Sequence, residues 1–220
     1  MSTAAEEVRT ALSSNDFGER LRAVNQFRSL DRGIAFDLVQ IAVKDSNARV
    51  RYAAVSHMAH LGDQNPQLSL EILRDCLLND DEMDVRAAAA DALGGLKLTD
   101  AFDDIVQLYE STSEWLVQFS ILAALGELGD PRGFEVLIRA LSSDQNLLRL
   151  AAIGALGDLG NADAVPYLAP YVDDPDWHVR YRLAQSLQQL GGREAEGLLA
   201  RLAADSMPQV AEAARTESAS

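Results

Sequence analysis

Few side chains in this sequence could move a proton or hold a metal. The three histidines are His57, His60 and His178, and the one cysteine is Cys76. His57 and His60 stand three apart, so on a helix they would share a face. Two imidazoles without a further ligand at matching spacing do not complete a zinc or iron site, and no metal is expected. Cys76 lies between Asp75 and Leu77 in an apolar run, where a thiol reads as a small buried hydrophobe. A nucleophile there would want a base, and none is close in sequence. Paired cysteines, a glycine-rich phosphate loop and His-Glu pairs that could place iron are all missing from the sequence. His178, Tyr52 and Tyr181 remain as acid or base groups, nothing singles one out, and no catalytic residue is assigned.

The aromatic residues suggest binding instead. Trp115 and Trp177, the only tryptophans, are each followed four residues later by a ring, Phe119 and Tyr181. Tyr52 repeats the second ring earlier in the chain, and His178 and Arg180 are interleaved with the last pair. Tyr52, Trp115, Phe119, Trp177, His178, Arg180 and Tyr181 are therefore expected to form a stripe for a flat apolar ligand or a protein helix. Arg51, Arg180 or Arg182 at its margin would meet anionic groups. The competing reading makes the tryptophans core filler at the tops of their helices.

The elements that must carry these residues repeat. Six times a seam residue is followed eleven positions later by leucine: Glu19/Leu30, with the apolar start degraded, then Val50/Leu61, Val85/Leu96, Val117/Leu128, Leu148/Leu159 and Val179/Leu190. The leucines are 31, 35, 32, 31 and 31 residues apart, and a decaying copy begins at Val210. Apolar residues recur four, eight and eleven places after each start, the seam of an amphipathic helix. A second apolar stretch precedes each copy, as at 36–43, 68–78, 102–109, 134–141 and 165–171. The prediction is an all-α, HEAT-like solenoid of six to seven helix pairs, superhelical, its concave face lined by the second helices. Gly62, Gly129, Gly160 and Gly191 are expected as left-handed helix stops. Arg20, Arg51, Arg86, Arg149 and Arg180 follow the seam residue, with Gln118 in the fourth copy. Those arginines are expected to pair with Asp45, Asp80, Asp144 and Asp174 of adjacent units as a ladder.

Composition sets the remaining bounds. The chain has 220 residues, 48% hydrophobic and 24% charged, enough for a continuous core, and residues 1–215 are expected as one domain with a frayed tail at 216–220. The net charge of −15, read as evenly spread, disfavours nucleic acid, which needs a basic face. No apolar run approaches a bilayer span and residues 1–12 do not look like a targeting segment, so membrane insertion is not expected. With a single cysteine this points to a reducing, cytoplasmic setting.

The phrases VRYAAV (50–55), AALGELGDPRG (123–133), ALGDLGNADAVPYL (155–168) and DDPDWHVRYRLAQSL (173–187) resemble the short HEAT-type repeats of the phycobilin lyase family. DFGERLRAVNQF (16–27) and TSEWLVQFS (112–120) are similar to the branch that acts in phycobilisome degradation in cyanobacteria. The resemblance implies a factor that dismantles phycobilisomes and detaches or handles their thioether-linked bilins. Its partners would be phycobiliproteins such as phycocyanin and allophycocyanin, its ligand a phycobilin such as phycocyanobilin, and no cofactor would be required. A different class stays open beside it: a HEAT-repeat adaptor without chemistry, serving proteolysis or iron–sulfur assembly partners.

Overall fold

In the computed structural model, which describes residues 3–215, the chain is helical from end to end. Fourteen α-helices and no strand occur among the described residues. They alternate as first and second helices of a pair: α1 (Ala4–Ala11) and α2 (Phe17–Asn25), α3 (Arg32–Ala42) and α4 (Ala48–Leu61), α5 (Pro66–Asn79) and α6 (Met83–Gly95), α7 (Phe102–Ser111) and α8 (Trp115–Leu128). There follow α9 (Gly133–Ala140) and α10 (Asn146–Leu159), α11 (Val165–Leu168, prolonged by a 3-10 turn) and α12 (Trp177–Leu190), and α13 (Gly192–Leu202) and α14 (Pro208–Ala213). This is the HEAT-type solenoid the repeat predicts. The tail at 216–220 lies outside the described residues.

Contacts divide the chain into two compact units between Ile121 and Leu122, inside α8. In the first unit α4 packs on α2, α3 and α6, and α5 on α6 and α7; in the second α10 packs on α9 and α12, and α12 on α13 and α14. The seam explains these contacts. Val50, Ala54 and Met58 are fully buried with Leu61 nearly so, and Val117, Ile121, Leu125 and Leu128 repeat the pattern. Neither helix of a pair could hide such a stripe alone.

Glycines serve two different ends. Gly129 and Gly160 have φ of 70° and 72°, the left-handed stop expected of them, whereas Gly191 has a positive φ of 63° with ψ of −169° and so ends its helix in an extended, glycine-only conformation instead. Gly62 does not: its φ is −66°. A Cβ there would fall 2.4 Å from Leu96 Cδ1 and 3.0 Å from Ser69 Oγ, so this glycine is required by close packing. In the third copy Lys97 takes the stop position with φ 55°.

The ladder exists with a gap. Arg20 meets Asp45 through Nε (2.6 Å) and Nη2 (2.9 Å), Arg51 meets Asp80 (2.7 and 2.8 Å), and Arg180 meets Asp205 (2.6 and 2.9 Å). The Nη1 of each arginine donates to a carbonyl six residues earlier, Ser14, Asp45 and Asp174. Two expected rungs are missing, and register accounts for one of them. The acidic site lies six residues before the arginine, so in the fifth copy it is Ser143, not Asp144, and in the fourth it is Thr112. Arg86, with Thr112 ahead of it, accordingly donates to the Leu77 carbonyl. Asp174 is in register and accepts the Asp176 N–H as the paired aspartates accept theirs, yet Arg149 donates to Ser143 O and Asn146 Oδ1 instead. Burial pushes the Asp80 carboxyl up, yet the Arg51 hydrogen bonds and the Glu82 backbone N–H outweigh it and hold it below the usual range.

Candidate functional site: exposed rings on the first turns of the second helices

Each second helix begins with a tight turn that turns its first residues outward. In α4 the Asn47 side chain caps the helix by accepting the Arg49 N–H (3.0 Å). Arg49 and Tyr52 then stand in solvent, Tyr52 at 49% exposure. In α8 Trp115 is 47% and Leu116 41% exposed, and Phe119 one turn on is half-buried. Trp115 is therefore not core filler. Phe17 opens α2 and Met83 opens α6 in the same exposed fashion. Across the first unit runs a groove of about 490 Å³, lined by Ala48, Arg49 and Tyr52 of α4, Glu82 just before α6, Asp84 and Val85 of α6, and Leu116 of α8.

In the second unit the first turn of α12 gathers four of the predicted residues. Asp176 caps the helix through the His178 N–H (2.9 Å), the same Oδ1 lies 2.8 Å from His178 Nδ1, and Oδ2 accepts from Asn146 Nδ2 at 2.7 Å. These three contacts hold the Asp176 carboxyl below its usual range, the backbone N–H first among them. The Trp177 and His178 ring centroids are 3.9 Å apart, and Tyr181 meets Trp177 edge-on at 6.4 Å. With Nδ1–H donating to Asp176, a neutral His178 carries its lone pair on Nε2, the state of a general base. Its side chain is 60% exposed, so that nitrogen works in water. The Arg180 guanidinium is engaged by Asp205 and the Asp174 carbonyl, whereas Arg182 is exposed and makes only a long contact, Nη1 donating to Gln185 Oε1 at 3.4 Å.

His57 and His60 do not form a site. His57 is buried edge-on against Phe27 at 5.6 Å, and His60 faces solvent. Burial, with Arg28 and His60 nearby, lowers the His57 pKa. Cys76 is buried, and desolvation with Asp80 and Asp75 raises its pKa to about 11, so it is an inert thiol. No group of three or more His, Cys, Asp or Glu able to hold a metal occurs among the described residues, and no helix among them is long and apolar enough to cross a membrane. Sequence reasoning missed Arg49, Met83 and Leu116. The signal that would have found them is an apolar or charged residue in the first turn ahead of the seam.

A family model described as HEAT repeats matches residues 5–94, 70–151 and 135–219. A 73-residue stretch is 40% identical to the phycocyanobilin lyase subunit alpha of Picosynechococcus sp.; the match takes in 30% of this chain and 27% of that protein. The fold is similar to the complex of CpcE and CpcF of phycocyanin lyase from Nostoc sp. PCC7120, with a TM-score of 0.65, 21% identity, and 81% of this chain and 74% of that chain covered. It is similar also to the archaeal HEAT-like repeats protein from Thermococcus onnurineus NA1, with a TM-score of 0.57, 14% identity, and coverage of 97% and 95%.

Proposed function

This chain belongs to the HEAT-repeat family, and from that premise we propose that it binds phycobiliproteins during phycobilisome breakdown and handles their bilins, the first turn of α12 meeting the pigment. The observation that carries this reading is the Trp177–His178–Tyr181 cluster beside exposed Arg182. The 40% identity to a phycocyanobilin lyase subunit supports the choice of ligand. A bilin is a flat conjugated chain with propionates, a chemistry that aromatic faces and one exposed guanidinium suit. Detachment would take a proton from the pigment carbon next to the one bearing sulfur, expel the sulfur, and return a proton to it as the cysteine thiol. We assign His178 Nε2 to the first transfer. The test is a titration with phycocyanobilin, followed by the visible band and by tryptophan fluorescence. A shifted band and quenching that weaken about tenfold in Trp177→Ala, and much less in Trp115→Ala, support the reading. An unshifted band with the unmodified protein removes the pigment from it.

A second reading, an adaptor that binds the polypeptide alone, has its own support. Two of the three arginines expected to meet propionates, Arg51 and Arg180, are held in the ladder with side chains only 16% and 13% exposed.

A further inference from the structure

The groove of the first unit has a chemistry that the α12 turn does not share. Its floor is apolar, with Ala48, Val85, Tyr52 and Leu116, and its volume of about 490 Å³ is that of a built binding cleft. Its surroundings are acidic. Glu82 and Asp84 line it, Asp81 precedes them and Glu114 adjoins Trp115 in the chain, all four exposed, against the exposed cation Arg49, the nearby Arg51 charge being matched by its partner Asp80. Three helix N-termini open there, each worth roughly half a positive charge, and with Arg49 they fall short of four carboxylates. The local balance therefore stays negative. The sequence around it agrees: residues 71–110 hold eleven carboxylates against Arg74, Arg86 and Lys97, which is −8 of the chain's −15, whereas residues 1–70 are neutral. The even spread of charge read from the two halves of the chain hides this concentration. A propionate-bearing pigment would be repelled here, and so would phosphate.

We propose that this groove is the docking site for a basic amphipathic segment of a partner protein, its apolar side chains seated between Tyr52 and Leu116 and its Lys or Arg residues against Glu82 and Asp84. Charge complementarity selects that occupant, and apolar lining edged by carboxylates is the surface that a basic amphipathic helix laid in a groove would fit. The inference rests on the reading of the protein as a binding factor, not on pigment handling.

The test uses a labelled amphipathic helix of leucine and lysine as probe, with a leucine and glutamate helix as its counterpart, read by fluorescence anisotropy near physiological salt. The basic probe is expected to bind one equivalent and the acidic one to bind at least tenfold more weakly. Leu116→Glu and Tyr52→Glu should each weaken the basic probe about tenfold even though they add negative charge. Both sites are solvent-exposed, and circular dichroism verifies that the helices persist. Asp84→Lys should weaken it as well, while Glu135→Lys, the same charge change on an exposed site of the second unit, should not. Equal or tighter binding by Leu116→Glu, or equal losses in Asp84→Lys and Glu135→Lys, would mean nonspecific attraction and overturn the proposal. Phycocyanin co-elution is scored separately: its loss with probe binding intact removes the proposed function and leaves the groove standing, and the reverse result removes the groove alone.

Discussion

Removing one rung of the arginine ladder should cost far more than an ordinary surface ion pair. The Arg51 and Asp80 side chains are 16% and 7% exposed and joined by two hydrogen bonds of 2.7 and 2.8 Å. Asp80 also accepts the Glu82 N–H at 2.9 Å, and Arg51 also reaches the Asp45 carbonyl at 3.0 Å. The pair thus ties the turn before α6 to the helix of the preceding repeat. Exposed pairs contribute about 0–1 kcal/mol, and breaking a fully buried pair costs about 3–5 kcal/mol. Asp80→Ala, which loses the pair and the turn bond, should therefore cost about 2–3 kcal/mol, and Arg51→Ala about 2 kcal/mol. The double variant should show a coupling of about 1–2 kcal/mol. Urea unfolding followed by circular dichroism measures all three. The sign with pH is fixed, because the folded carboxyl lies below its unfolded value of 3.8. The rung's contribution is complete above pH 3.8 and is lost as pH falls through the folded value. A coupling below about 0.5 kcal/mol at neutral pH, or one that persists unchanged well below the folded value, would refute the role given to the ladder.

Burial holds the His57 imidazole neutral, lowering its pKa from 6.5. Stability should decline as pH falls below 6.5, where the unfolded chain takes up the proton first, and His57→Leu should flatten that decline in thermal melts between pH 7 and 5. Gly126→Ala should cost about 1–3 kcal/mol, because a Cβ there meets the Ala155 backbone at 2.7 Å, whereas Gly154→Ala meets only the movable Arg182 side chain and should cost much less; chemical denaturation separates the two. Asp176→Asn removes the carboxylate that lies 2.8 Å from His178 Nδ1, so it should slow any bilin release about tenfold or more while leaving pigment affinity within about twofold. An unchanged release rate would mean that Asp176 only caps the helix.

The repeat in leucines and seam valines was enough to place the helix pairs, because a helix that must hide a stripe on two neighbours carries that need in its spacing. Finer features depended on register and on space. One residue separates Ser143 from Asp144, and a period that drifts between 31 and 35 residues does not resolve such a step by counting leucines. The Gly62 position resembles Gly129 in sequence, and only the Leu96 and Ser69 side chains against it reveal the different reason for the glycine. Tryptophan is written alike whether it fills a core or faces water; the first-turn placement of Trp115, ahead of buried Val117, is what decides. The groove with Leu116, Arg49 and Asp84 escaped notice because its residues come from three repeats and share only their place just ahead of the seam residue, not a residue type.

The most direct measurement mixes the protein with intact phycocyanin and with its chromophore-free form, following co-elution on a sizing column and the visible spectrum of each fraction. The account predicts co-elution with the intact form, a shifted bilin band, and loss of the shift in Trp177→Ala. Failure to associate with either form, with the helical fold intact, would contradict it.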